Sequence, residues 1–151
     1  YAQRSGRMVG VLMLDLDRFK EINDSFGHDF GDKLLCAVAQ RLENTVREAD
    51  TVARLGGDEF VILLAELPDV ERVGLIAEKI LRHLAEPLWI DGRAILLTAS
   101  LGGSLYPQDG DDGETLVRYA DMAMYQAKRS GRDRFAFYNA AMGLNGEGET
   151  H

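Results

Sequence analysis

Residues 8–14, MVGVLML, are apolar without a break. A continuous apolar run this short suits a strand buried on both faces, which needs packed structure on either side. The run ends in Asp15-Leu16-Asp17. In an extended chain Asp15 and Asp17 point to one side and Leu16 to the other.

The rest of the chain supplies the layers for such a strand. A polar, glycine-bearing loop is expected over 23–31, and then a helix with Leu34, Leu35, Val38, Leu42 and Val46 at helical spacing and Asp32 near its start. Residues 51–55 and 60–65 flank Gly56-Gly57-Asp58-Glu59 and read as a hairpin. A second helix is predicted over 69–86, stopped by Pro87. Residues 89–90 and 94–105 read as two strands joined across Asp91-Gly92, and a third helix over 114–130 is ended by Gly131. A last strand is expected at 135–138. The glycine-bearing segment 139–151 reads as a flexible tail or linker. Strand, helix, hairpin, helix, hairpin, helix, strand predicts an α+β fold: a mixed central sheet with flanking helices, close to a ferredoxin-like or polymerase-palm layout.

The charge balance narrows the partners. With 17 Lys and Arg against 25 Asp and Glu, the net charge is −8. That is a poor basis for binding nucleic acid, which depends on neutralising phosphates. A single nucleotide remains open if metal ions offset the acids. The length of 151 residues fits one domain. The lone Cys36 excludes an internal disulfide, suits a reducing compartment and is expected to be a small buried helix residue. No apolar run approaches the ~20 residues that span a bilayer, and no signal peptide opens the sequence. A soluble, cytoplasmic domain without membrane contact is the expectation.

The acids carry the sharpest chemical signal. Asp15 ends a buried strand, and Asp58 and Glu59 sit on a hairpin turn. If those strands are neighbours, three carboxylates converge at one end of the sheet and repel one another unless a cation intervenes. Mg²⁺ takes a few carboxylates plus substrate phosphates, and paired metals serve phosphoryl and nucleotidyl transfer. The plainer alternative makes Asp15 a strand terminus and Asp58-Glu59 ordinary turn residues. Gly56 and Gly57 let a phosphate approach backbone N–H groups, though turn geometry alone would also account for them. Asn23 and Asp32 bracket the loop that holds Gly27 and Gly31. One carboxylate there could accept from both donors on the Watson–Crick edge of guanine, which adenine lacks. Asp32 could equally be a helix N-cap. Lys20, Lys128 and Arg132 are candidate triphosphate contacts, the last two otherwise being cations favoured near a helix C-terminus. His28 has no partner that the sequence reveals. Arg47 and Asp50 could be a solvated pair.

Arg54-Leu55-Gly56-Gly57-Asp58-Glu59-Phe60 carries the name motif of the GGDEF domains, the diguanylate cyclase family. Asp15-Leu16-Asp17-Arg18-Phe19-Lys20, then Ile22-Asn23-Asp24, Gly27-His28 and Gly31-Asp32, resembles the family's first strand and nucleotide loop. Residues 120–125, Ala127-Lys128 and Gly131-Arg132 resemble its last helix. The resemblance runs over about 8–138.

It implies a nucleotidyl cyclase-like architecture and an enzyme that joins two GTP into cyclic di-GMP with release of two pyrophosphates. Two domains would face each other, so catalysis needs a homodimer. Asp15, the Leu16 carbonyl, Asp58 and Glu59 would hold two Mg²⁺ or Mn²⁺ ions, and Asp58 would also accept the 3′-OH proton. Lys20 would stabilise transition-state charge, Asn23 and Asp32 would read guanine, and Lys128 and Arg132 would contact phosphates. Arg47-Glu48-Ala49-Asp50 has the RxxD pattern of the family's inhibitory site for the product, with Lys79 or Arg82 offered to complete it. The family's opening D-x-LTGL-x-NR segment is missing. Residues 1–138 therefore read as a GGDEF domain without its first helix, from a parent with a sensory or EAL domain. Gly103 stands where a branched apolar residue is common, which puts strand packing there in question. The alternative function is a non-catalytic GTP- or cyclic di-GMP-binding regulatory module.

Overall fold

The computed structural model describes residues 7–142. The apolar run forms β1 (Met8–Leu16), buried from Gly10 onward. Two helices follow where a polar loop was expected: α1 (Phe19–Phe26) and α2 (His28–Thr45). They are separated by Gly27, whose φ of 91° favours a residue without Cβ. Buried Phe19 and half-buried Ile22 lie about one turn apart and dock α1 on the core. Asp32 therefore lies inside α2, and Gly27 takes the N-cap position instead.

The predicted hairpin is β2 (Thr51–Gly56) and β3 (Glu59–Leu67). Next comes α3 (Val70–Leu84), capped by Asp69, whose carboxylate accepts from the Arg72 backbone N–H at 3.0 Å. Strands β4 (Leu88–Ile90) and β5 (Arg93–Ile95) form a small sheet of their own, and β6 (Ala99–Tyr106) belongs to the main sheet. The single strand expected over 94–105 is thus broken at 96–98 and divided between two sheets. Helix α4 (Gly113–Arg129), capped by Asp112 on the Thr115 N–H at 2.8 Å, leads to β7 (Arg134–Phe137).

The main sheet has the order β2-β3-β1-β6-β7, antiparallel except for β6 and β7. Its β1-helix-β2-β3-helix-β6 core is the ferredoxin-like α+β arrangement with β7 added at one edge. The two faces of β1 bury into different layers. Leu12, Leu14 and Leu16 pack with Leu34, Val38, Val73 and Ile80 of α2 and α3. Val11 and Met13 pack with Leu116, Ala120 and Met124 of α4. By alternation Asp15 falls on the α4 side.

The backbone of α4 lies directly against β6. A Cβ on Gly102 would collide with the Met124 amide nitrogen and the Ala120 carbonyl. The space that a larger residue would fill at Gly103 is taken by Leu12 and by the Phe135 ring, each 3.0 Å from where a Cβ would stand. Cys36 is exposed rather than buried, because it lies off the Leu34-Leu35-Val38-Leu42 stripe. The segment expected as a tail begins with a helical turn at 140–142, where the Asn139 side chain accepts from the Ala141 N–H at 3.0 Å. Residues 143–151 of that expectation lie outside the described residues. No helix among the described residues is long and apolar enough to cross a membrane.

Candidate active site

The hairpin turn and the end of β1 meet through the sheet register. Asp15 is the cross-strand partner of Glu59, and the Leu16 N–H donates to the Asp58 carbonyl at 3.2 Å. Directly opposed residues share a face, so Asp15 and Glu59 rise on the same side of the sheet. Asp58 and Glu59 are half-buried. Gly56 pairs with Glu59, which leaves Gly57 and Asp58 as a two-residue turn with Gly57 at a φ of 53°. A Cβ built on Gly56 or Gly57 would meet nothing within 4 Å, so this backbone is open to a ligand. The Arg54 Nε braces the turn by donating to the Gly57 carbonyl at 3.0 Å.

Asp15 is 5% exposed. Lys128, from the last turn of α4, is ion-paired with its Oδ2. Its Oδ1 is buried and has no hydrogen-bond partner among the described residues. An ionised oxygen left in that state is costly, and a hard cation with oxygen preference is the group that would relieve it. The donors at this end of the sheet are all oxygens, which suits Mg²⁺ or Mn²⁺. Among the described residues, no three His, Cys, Asp or Glu side chains are gathered into a ready metal cage. Burial holds the Lys128 ammonium below the ordinary lysine range, and the positive charge of Arg132 pushes the same way.

Lys20 and Asn23 lie one turn apart on α1. The Asn23 Oδ1 packs against Gly31, where a Cβ would overlap it, and exposed Asp32 is the next residue along α2. The sequence left His28 without a partner. Here its Nδ1 accepts from the Asn23 Nδ2 at 2.9 Å, which requires the proton on Nε2. Arg132 and Asp133 follow α4 and, with Asp17, Arg18, Glu21 and Thr98, line a cavity of about 480 Å³. The structure therefore gathers Asp15, Leu16, Asp58, Glu59 and Lys128 at one end of the sheet. Asn23 lies on α1 and Asp32 in the first turns of α2, on either side of Gly27.

Arg47 and Asp50 lie elsewhere, after α2. They form a bidentate pair, Nη2 to Oδ1 at 2.8 Å and Nε to Oδ2 at 3.0 Å, and the Asp50 side chain is 0% exposed. Asp50 is enclosed, while the Arg47 side chain is 43% exposed, so only one partner of the pair is solvated. Burial pushes the Asp50 carboxyl up, but the Arg47 guanidinium and the Ala65 and Arg47 amides outweigh it and hold the group below its usual range. A cavity of about 250 Å³ beside it is lined by Arg47, Asp50, Arg72, Leu75, Ile76 and Lys79 among others. Of the two cations offered from sequence, Lys79 reaches this cavity and Arg82 does not line it. Arg72 was missed, although it stands in the first turn of the helix that faces the RxxD segment.

Residues 1–134 match the family model for the diguanylate cyclase GGDEF domain. The chain belongs to the GGDEF family. This GGDEF domain is 42% identical over 134 residues to the Pseudomonas aeruginosa cyclic di-GMP phosphodiesterase NbdA, a match that covers 89% of the chain and 17% of that protein. It is also 42% identical over 146 residues to the bifunctional diguanylate cyclase/cyclic di-GMP phosphodiesterase MucR of the same organism, covering 97% of the chain and 21% of MucR. The domain thus spans about a fifth of the length of these curated relatives. Among solved structures, the GGDEF domain of TpbB (YfiN) from Pseudomonas aeruginosa superposes with a TM-score of 0.93 at 39% identity, covering 97% of this chain and 86% of that one.

Proposed function

We propose that this GGDEF domain is a diguanylate cyclase that condenses two GTP into cyclic di-GMP and two pyrophosphates. The observation that carries the reading is the end of β1. There Asp15 keeps a buried unpartnered oxygen beside Lys128, in register with Glu59 and next to an unobstructed Gly56-Gly57 backbone. Asp15, the Leu16 carbonyl, Asp58 and Glu59 would hold two divalent ions. When bound, these would neutralise triphosphate charge and stabilise the departing pyrophosphate oxygen.

The remaining work falls to the chain itself. Asp32 accepts from the adjacent donors of guanine and Asn23 completes the base contact, which selects guanine over adenine. The Gly56-Gly57 amides and Lys20 face the phosphate charge, and Lys128 and Arg132 hold its outer oxygens. Two such domains face each other. The 3′-OH of one GTP forms a bond to the α-phosphorus of the other, Asp58 takes the hydroxyl proton, and the bond to pyrophosphate breaks. Two such attacks close the ring. Residues 1–138 make up this catalytic domain, and its much longer curated relatives support its belonging to a larger signalling protein.

The product would also bind at Arg47 and Asp50, with Arg72 and Lys79 on the opposite wall, and slow the enzyme. Arg47 is already committed to Asp50 and to the Ala65 carbonyl at 2.6 Å, so the product would meet a preformed guanidinium edge.

A second reading keeps nucleotide binding and drops turnover, making the domain a regulator of an attached one. The likeness to a protein named as a phosphodiesterase favours it. The test is product formation from GTP and Mg²⁺ by the chain fused to a dimerising coiled coil. Cyclic di-GMP formation, lost in Asp58→Ala without unfolding, supports the cyclase. GTP binding with no product supports the regulator.

A further inference from the structure

Asp17 is the buried carboxylate that the proposed chemistry leaves unused. It stands just past β1 and is 6% exposed. Unlike Asp15, both of its oxygens are taken by protein donors. The Ser100 hydroxyl donates to Oδ1 at 2.7 Å, and the Thr98 hydroxyl donates to Oδ2 at 2.6 Å. The Asp133 backbone N–H also donates to Oδ2, at 3.0 Å. In addition, the Asp17 amide donates to the Thr98 carbonyl at 2.9 Å. A carboxylate so satisfied is a tie between segments rather than an open ligand.

The last of its donors matters most. It joins the end of β1 to the turn after α4, where Arg132 and Asp133 have φ values of 64° and 47°. Residues with side chains hold that backbone only when their surroundings impose it. Three bonds do so here. The Arg132 N–H donates to the Ala127 carbonyl at 3.0 Å, the Arg134 Nε donates to the Arg132 carbonyl at 3.0 Å, and Asp17 receives the next amide. Arg132 thereby shares a cavity with Arg18 and Glu21 at the start of α1 and lies near enough to Lys128 to depress its basicity.

We propose that Asp17 is a positioning residue for Arg132: by accepting the Asp133 amide it fixes the left-handed turn that presents the guanidinium to the outer phosphates of the nucleotide. The proposal rests on the reading of Arg132 as a triphosphate contact.

The test is calorimetric binding of 3′-deoxy-GTP, which cannot cyclise, and of GMP, each with Mg²⁺, to the 151-residue chain. Asp17→Ala weakens 3′-deoxy-GTP about tenfold, the order expected for losing a charge-assisted tie, and leaves GMP unchanged. Asp17→Asn stays close to the parent, because its carboxamide oxygen can keep Thr98 and Asp133 while its NH₂ donates to the Ser100 hydroxyl. In an Arg132→Ala background the Asp17→Ala loss disappears. Should Asp17→Ala fail to fold, Thr98→Val removes one hydroxyl donor. It is expected to weaken 3′-deoxy-GTP by about threefold, again only when Arg132 is present.

An Asp17→Ala loss that persists in full without Arg132, or that extends to GMP, overturns the positioning role. So does an Asp17→Asn as weak as Asp17→Ala, which would mark Asp17 as a cation ligand. If Arg132→Ala alone leaves 3′-deoxy-GTP binding unchanged, the phosphate role of Arg132 falls first and the proposal with it.

Discussion

Two buried carboxylates, Asp15 and Asp50, end up in opposite states. Asp50 is saturated: Arg47 binds both of its oxygens, and the Arg47 and Ala65 amides donate to it at 3.0 Å each. Asp15 has a lysine on one oxygen and, among the described residues, no hydrogen-bond partner on the other. A saturated carboxylate stabilises the fold it sits in, whereas an unsatisfied one costs stability until something binds. The difference separates a corner closed by its own donors from one that the proposed function assigns to a cation and a nucleotide. On the proposed function it would also account for an acidic chain taking an acidic nucleotide: part of its negative charge would be a place for a counter-ion.

Neutralising each carboxylate should therefore have contrary effects. Asp15→Asn is expected to lower turnover by about 10³, as for loss of a main electrostatic contact in a transition state, while leaving the unfolding midpoint of the ligand-free chain unchanged or raised. A clear fall in that midpoint would break the contrast. Asp50→Ala should destabilise the chain by about 2 kcal/mol, because it leaves the Arg47 guanidinium and the Arg47 and Ala65 amides without their acceptor, and thermal unfolding reads this directly. If the product binds at the Arg47–Asp50 corner as proposed, Arg72→Ala should weaken cyclic di-GMP inhibition by about tenfold, read from inhibition curves. Unchanged inhibition would remove Arg72 from that cavity's role.

The pH dependence sharpens the same comparison. Asp50 is held below its usual range in the folded chain, so its contribution is present above the ordinary carboxylate pKa of about 3.9 and is lost as pH falls through the lower folded value. Acid unfolding of Asp50→Asn should lack that component. The smallest effect belongs to the exposed Lys33–Asp91 pair at 2.9 Å, where Asp91→Asn should leave the unfolding midpoint unmoved.

Much of this was legible before any coordinates. β1, the Gly56-Gly57 hairpin and the three long helices follow from apolar spacing and turn residues, and the pairing of Asp15 with Glu59 follows from β1 lying beside β3. The departures have physical causes. α1 is two turns of mostly polar residues, and only Phe19 and Ile22 signal that it docks. The break at 96–98 has no Gly or Pro to announce it. It coincides with Thr98, which binds Asp17 through both its hydroxyl and its carbonyl. Cys36 was recoverable, since helical periodicity puts it opposite the apolar stripe. Arg72 and the His28–Asn23 contact were not, because both depend on how two elements pack.

Thermal unfolding of the chain with GTP, with and without Mg²⁺, tests the ligand-requiring site most directly. At GTP about tenfold above its dissociation constant, binding should add about 1.4 kcal/mol and raise the midpoint by a few degrees. That rise should need the divalent ion and should vanish in Asp15→Asn. An equal rise without Mg²⁺, or one that survives Asp15→Asn, would contradict the assignment of the Asp15 end of the sheet as the cation and nucleotide site.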